Sequence, residues 1–156
     1  MPTELDDIDR KLVELLAANA RTSNAQLAEA VGVAPSTAHS RLRMLQSRGI
    51  IVGYHAALDQ AELGRGLQAI IHVSLRAGAR QESIREFAAG VRQLPDVIQL
   101  YFVGGMDDFM VHIAVEDSSA LRRFVVDHLS SRASVASTRT SIIFEYHRNA
   151  VAADFS

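Results

Sequence analysis

The apolar residues of this chain change their spacing once, near residue 66. That change divides the chain into a helical half and a half built on strands. In the first half they recur at helical intervals: Ile8, Leu12, Leu15 and Leu16, then Leu27, Ala28 and Val31, then Ala38, Leu42 and Leu45. Each run carries its own boundary signals. Asp6 can cap the first helix, and Ser23-Asn24-Ala25-Gln26 has the form of a capping box. Gly32 suits a left-handed helix end, Pro35 the first turn of a third helix, and Gly49 its stop. Ile50 to Leu58 is rich in β-branched and aromatic residues and reads as extended chain.

Asp59 to Gly66 is a polar, glycine-containing linker, and beyond it the period becomes two. Leu67, Ala69, Ile71, Val73 and Leu75 alternate with Gln68, Ile70, His72 and Ser74. Gln81 to Leu94 returns to helix and stops at Pro95. Val97 to Val103 and Phe109 to Glu116 read as two central strands joined by a turn at Gly104 to Asp108. A helix capped by Asp117 or Ser118 follows, with Leu121, Phe124, Val125 and Leu129 on one stripe, and Val135 to His147 is a last strand. This order predicts an α+β chain: a helix-turn-helix followed by a ferredoxin-like βαββαβ half, a four-stranded antiparallel sheet with two helices on one face. The expected divisions are 1–58 for DNA binding, 59–66 for the linker, 67–148 for the sheet domain and 149–156 for a tail. One sheet face is left uncovered and carries many apolar side chains, so a homodimer is expected.

Charge says what the helical half can touch. Sixteen Lys+Arg against eighteen Asp+Glu give a net charge of −2, which argues against a histone-like or polybasic membrane-surface protein. Yet Ala30 to Leu58 contains no acid and holds Arg41, Arg43 and Arg48. The third helix presents Ser36, Thr37, His39, Ser40, Arg41 and Arg43 outward, hydroxyls and guanidinium forks suited to phosphates and base edges of double-stranded DNA. A helical bundle with merely solvated arginines is the plainer reading, and the local reversal of charge favours DNA. His39 taken alone is an ordinary surface histidine.

Other chemistries find little support. The chain has no cysteine, which excludes disulfides and Cys-ligated metal sites. Its acidic amino terminus is unlike a signal peptide, and no apolar run reaches the ~18 residues of a membrane span. A cytoplasmic protein without membrane attachment is expected. No nucleophile elbow, Walker loop, dinucleotide fingerprint or zinc-protease motif occurs, so neither an enzyme nor a cofactor is expected. His72, His112 and His147 fall on expected strands, but no metal-binding spacing links them, and interface histidines outweigh a metal site. In the turn Gly104-Gly105-Met106-Asp107-Asp108-Phe109, paired glycines let backbone N–H groups approach a carboxylate, and an acid nearby could meet an ammonium. A zwitterionic amino acid would suit both. A hairpin that simply needs glycine and aspartate is the plainer alternative.

Leu5-Asp6-Asp7-Ile8-Asp9-Arg10-Lys11-Leu12, Gln26-Leu27-Ala28, Arg41-Leu42-Arg43-Met44-Leu45 and Arg48-Gly49-Ile50-Ile51-Val52-Gly53-Tyr54 follow one another in an order that resembles the Lrp/AsnC (feast/famine) transcriptional regulators. The likeness continues through Gly104 to Phe109 and spans nearly the whole chain. It implies a winged helix-turn-helix joined to a ligand-sensing, RAM-type domain, dimers that assemble further (often to octamers), and an amino acid or related effector. It also implies that Gly105, Asp108 and Phe109 fill the family's Gly-x-x-Asp-aromatic effector loop. Gly104 stands where threonine or alanine is common, and Phe109 replaces the usual tyrosine. Thr138, Thr140 and Ser141 resemble a hydroxyl-rich strand entry in relatives. The function implied is a sequence-specific, effector-modulated regulator. The rival readings are a DNA-organising protein with little sequence preference, and a ligand or metal-storage module with a helical adaptor.

Overall fold

The computed structural model describes residues 4–78 and 81–146. They form two compact units, the first ending at Ala57 and the second running Leu58–Tyr146.

The first unit holds α1 (Asp7–Ala18), α2 (Asn24–Val31) and α3 (Pro35–Ser47). The boundary signals act as expected. Asp6 Oδ1 accepts the Asp9 N–H at 2.8 Å. Ser23 and Gln26 complete a reciprocal capping box, and Gly32 closes α2 at φ 69°. Leu12, Leu16, Leu27 and Leu45 form the core, with Ile8 and Leu42 packed against it. Ile50 to Leu58, read as extended chain, forms no ladder among the described residues. Ile50 and Ile51 instead pack on the leucine core, and Gln46 Nε2 donates to the Tyr54 hydroxyl at 3.2 Å.

The second unit runs β1 (Leu67–Leu75), α4 (Gln81–Val91), β2 (Val97–Phe102), β3 (Phe109–Val115), α5 (Ser118–Phe124) and β4 (Val135–Ile143). The four strands lie in the order β2-β3-β1-β4, every pair antiparallel. The Gly104–Asp108 turn therefore joins an edge strand, β2, to a central one, not two central strands. β4 also stops short of His147: Ile143 pairs with Gln68, and β1 begins one residue earlier, so the ladder runs out of partner. His147 and the tail lie outside the described residues. Asp117 caps α5 through the Ala120 N–H at 2.8 Å. The helix then widens into a π-helical turn, Val125–Ser130, with Ser131 N–H on Val126 C=O at 3.1 Å.

The alternation of β1 sorts the sheet into two faces. Ala69, Ile71 and Val73 share the helix-covered side with Phe109, Val111 and Ile113, and Phe87, Val91, Phe124 and Leu129 close the core over them. Gln68, Ile70, His72 and Ser74 line the other side with Met110, His112 and Arg139.

Candidate functional site

Two sites follow from this architecture, one in each unit. On α3, residues advance by about 100° each. Ser36, Ser40 and Arg43 consequently share one outward stripe, flanked by His39 and Thr37, and all five are exposed. Ala38 and Leu45 are buried on the opposite side. No acid lies on this helix, and Arg43 has no ion-pair partner among the described residues. The stripe can therefore offer hydroxyl donors and one unneutralised guanidinium to a polyanion.

Arg41 corrects the expectation of a free outward fork. It lies about 140° round the helix from Ser36, on the border of the buried side. Its Nη1 reaches across to α1, 2.5 Å from Asp6 Oδ2 and 2.9 Å from Asp9 Oδ1. Hydrogen bonds from the Asp9 N–H and then from Arg41 hold the Asp6 carboxyl below the usual carboxylate range. The same pairing pushes the Arg41 guanidinium further up.

In the second unit the hairpin between β2 and β3 is fixed by two carboxylates with different duties. Asp108 Oδ2 accepts the Leu75 N–H at 2.7 Å, while its own N–H donates to Val73 C=O and its C=O accepts from Val103. Its side chain is thus committed to the backbone of β1 rather than turned toward solvent. Phe109 is also corrected: it is 1% exposed, its ring 4.6 Å from Phe87 and 5.1 Å from Phe102, so it belongs to the core. The acid that sequence reasoning passed over is Asp107. Its Oδ2 lies 3.0 Å from His72 Nδ1 and 2.9 Å from Arg139 Nη2, and its Oδ1 lies 3.4 Å from Ser74 Oγ. His72 and Arg139 are cross-strand partners, so strand register brings them together from 67 positions apart without any local motif.

Gly104 and Gly105 are exposed at the tip, Gly105 at φ 133°, a conformation that favours glycine. Thr138 and Thr140 pair with Val73 and Ile71 and share the helix-covered side of β4, away from the face that carries Arg139. Gly104, Gly105 and Asp107 belong to one hairpin, and Thr138 and Thr140 lie on the opposite sheet face from the Asp107 partners His72 and Arg139. His72 and His112 do share the bare face, but each has its own partner. His112 Nε2 lies 3.0 Å from Gln68 Oε1, and burial pushes this imidazole below its ordinary pKa. Among the described residues no cluster of three or more His, Asp or Glu could hold a metal ion.

Comparison with known proteins supplies the context. Residues 68–150 match the model of the Lrp/AsnC ligand binding domain, and residues 5–52 match a winged helix-turn-helix DNA-binding model. The HTH-type transcriptional regulator AldR of Mycolicibacterium smegmatis is 49% identical over 147 residues, covering 94% of this chain and 85% of that protein. The chain belongs to the Lrp/AsnC family. Solved structures of Lrp/AsnC relatives superpose over almost the full length. The crystal structure of AldR from Mycobacterium tuberculosis gives a TM-score of 0.78 at 38% identity, covering 95% of this chain and 99% of that one. A transcriptional regulator of Neisseria meningitidis, solved as a complex with L-Met, gives 0.84 at 31% identity, covering 97% and 98%. As an Lrp/AsnC protein the chain is a transcriptional regulator, with a helix-turn-helix DNA-binding domain and a ligand-binding domain. No helix among its described residues is long and apolar enough to cross a membrane.

Proposed function

We propose that this regulator reads a specific duplex sequence through α3 and that an amino acid bound at the Gly104–Asp107 hairpin modulates the reading. The observation that carries the DNA half is the acid-free stripe of Ser36, Ser40 and Arg43, flanked by Thr37 and His39, on a helix whose opposite side is buried. Two copies pair through the bare sheet face, where Ile70 and Met110 would otherwise meet water. Paired helices then enter major grooves about one helical turn, ~34 Å, apart.

Support for the effector is chemical. The backbone of Gly104 and Gly105 suits a carboxylate, and Asp107, whose Oδ2 is taken by Arg139 and His72, offers an ammonium its Oδ1, which among the described residues meets only Ser74 Oγ at 3.4 Å. Asp108 and Phe109 act beneath them as supports, and Thr138 and Thr140 are left outside the site. The complex of the Neisseria relative with L-Met agrees with this class of ligand.

Two measurements test the reading. Duplexes selected by the protein from a random library should share one half-site motif. Arg43→Ala should lower affinity for them and reduce the slope of log K against log salt by ~0.9, the loss of one phosphate contact. Uniform binding of all sequences would favour the DNA-organising alternative, and an unchanged slope would remove Arg43 from the interface. Thermal-shift screening against the twenty amino acids should find a ligand that raises the melting temperature. Asp107→Asn should abolish that rise while leaving basal DNA binding intact; an undiminished rise would place the ligand elsewhere.

A further inference from the structure

We infer that Arg41 is a positioning residue for DNA recognition, fixing the roll of α3 against α1 through Asp6 and Asp9 instead of touching the duplex. The inference rests on the reading of α3 as the DNA-contacting helix.

Leu12 and Leu16 of α1 share one apolar core with Leu42 and Leu45 of α3. Such contacts are strong but non-directional, and they leave a helix free to roll. The ion pairs are directional. The Asp6 carboxylate is already fixed by the start of α1: its Oδ1 caps the Asp9 N–H, which leaves its Oδ2 for Arg41. Asp9 is 4% exposed, and a carboxylate so placed needs a charged partner. The Arg41 side chain is 27% exposed, held on the flank of α3 that faces these acids. A roll of about 20° would move a group about 6 Å from the helix axis by roughly 2 Å, more than a hydrogen bond to a base edge tolerates. An ion pair of this kind contributes little net stability and much to orientation. It also pairs Asp6 and Asp9, two of the acids that line one groove of about 660 Å³ with Glu4, Ser36, Thr37 and Ser40.

The test compares binding of a duplex selected by the wild-type protein with binding of its scrambled counterpart, by fluorescence anisotropy across a salt series. Arg41→Gln should reduce the selected-to-scrambled affinity ratio about tenfold while the salt slope stays within about 0.3 of wild type. A retained ratio with a slope reduced by ~0.9 would make Arg41 a phosphate contact and overturn the inference. Asp6→Asn gives a second arm that does not depend on how well Arg41→Gln folds, since Asp6 is exposed and asparagine caps a helix as well as aspartate. Simple electrostatics, or release of Arg41 onto a phosphate, predicts tighter binding and a steeper slope for Asp6→Asn. Positioning predicts a lower affinity ratio with no steepening, and tighter binding would overturn it. Arg43→Ala is the control. A slope equal to wild type there sinks the placement of α3 and the clamp together, whereas equal slope losses for Arg43 and Arg41 sink the clamp alone.

Discussion

Phe109→Ala is expected to destabilise the sheet unit by about 3–5 kcal/mol, measured by urea unfolding. The ring is 1% exposed and sits between Phe87 and Phe102, so its removal leaves a cavity that strands paired on both sides of β3 cannot close. Because Phe109 is also the residue at which the hairpin enters the sheet, any amino-acid-induced rise in melting temperature should disappear with it. A loss below 1 kcal/mol would mean that the ring packs no core. That result would return Phe109 to the list of side chains free to meet a ligand.

Leu45→Ala should cost the helical unit about 2–5 kcal/mol and with it duplex binding. Leu45 is 0% exposed and is one of the four leucines that make this small core. Its carbonyl also receives the N–H groups of Ile50 and Ile51, so the residue holds both α3 and the chain that follows. A unit of this size has little stability to spare. Limited proteolysis of the variant should digest residues before about 58 and leave a resistant fragment containing the sheet unit. Unimpaired duplex binding by Leu45→Ala would show that α3 keeps its pose without the leucine core.

How much of this was legible in the sequence depends on how far each interaction reaches. Capping by Asp6, Ser23 with Gln26, and Asp117 could be read because donor and acceptor lie within three residues. The buried faces of α1 and β1 could be read because their periods differ. Arg41 could not be placed, since it lies on the border between stripes and its partners are more than thirty positions away. Phe109 did carry a signal: it opens the alternation Phe109, Val111, Ile113, Val115, whose phase already turns it to the core. Asp107 carried none, because its partners arrive through the register of β1 with β4. Ile50 to Leu58 has β propensity but forms no ladder among the described residues, so propensity alone does not predict pairing.

The wide turn after α5 has a consequence for how such a chain can change its length. From Phe124 an ordinary helix would next bring position 128 inward. The broadened coil turns Leu129 to the core instead and leaves His128 on the outside. A segment wound this way can take up one extra residue as a bulge on its solvent side while Leu129 stays in the core. At this point of the molecule, insertion and packing have been decoupled.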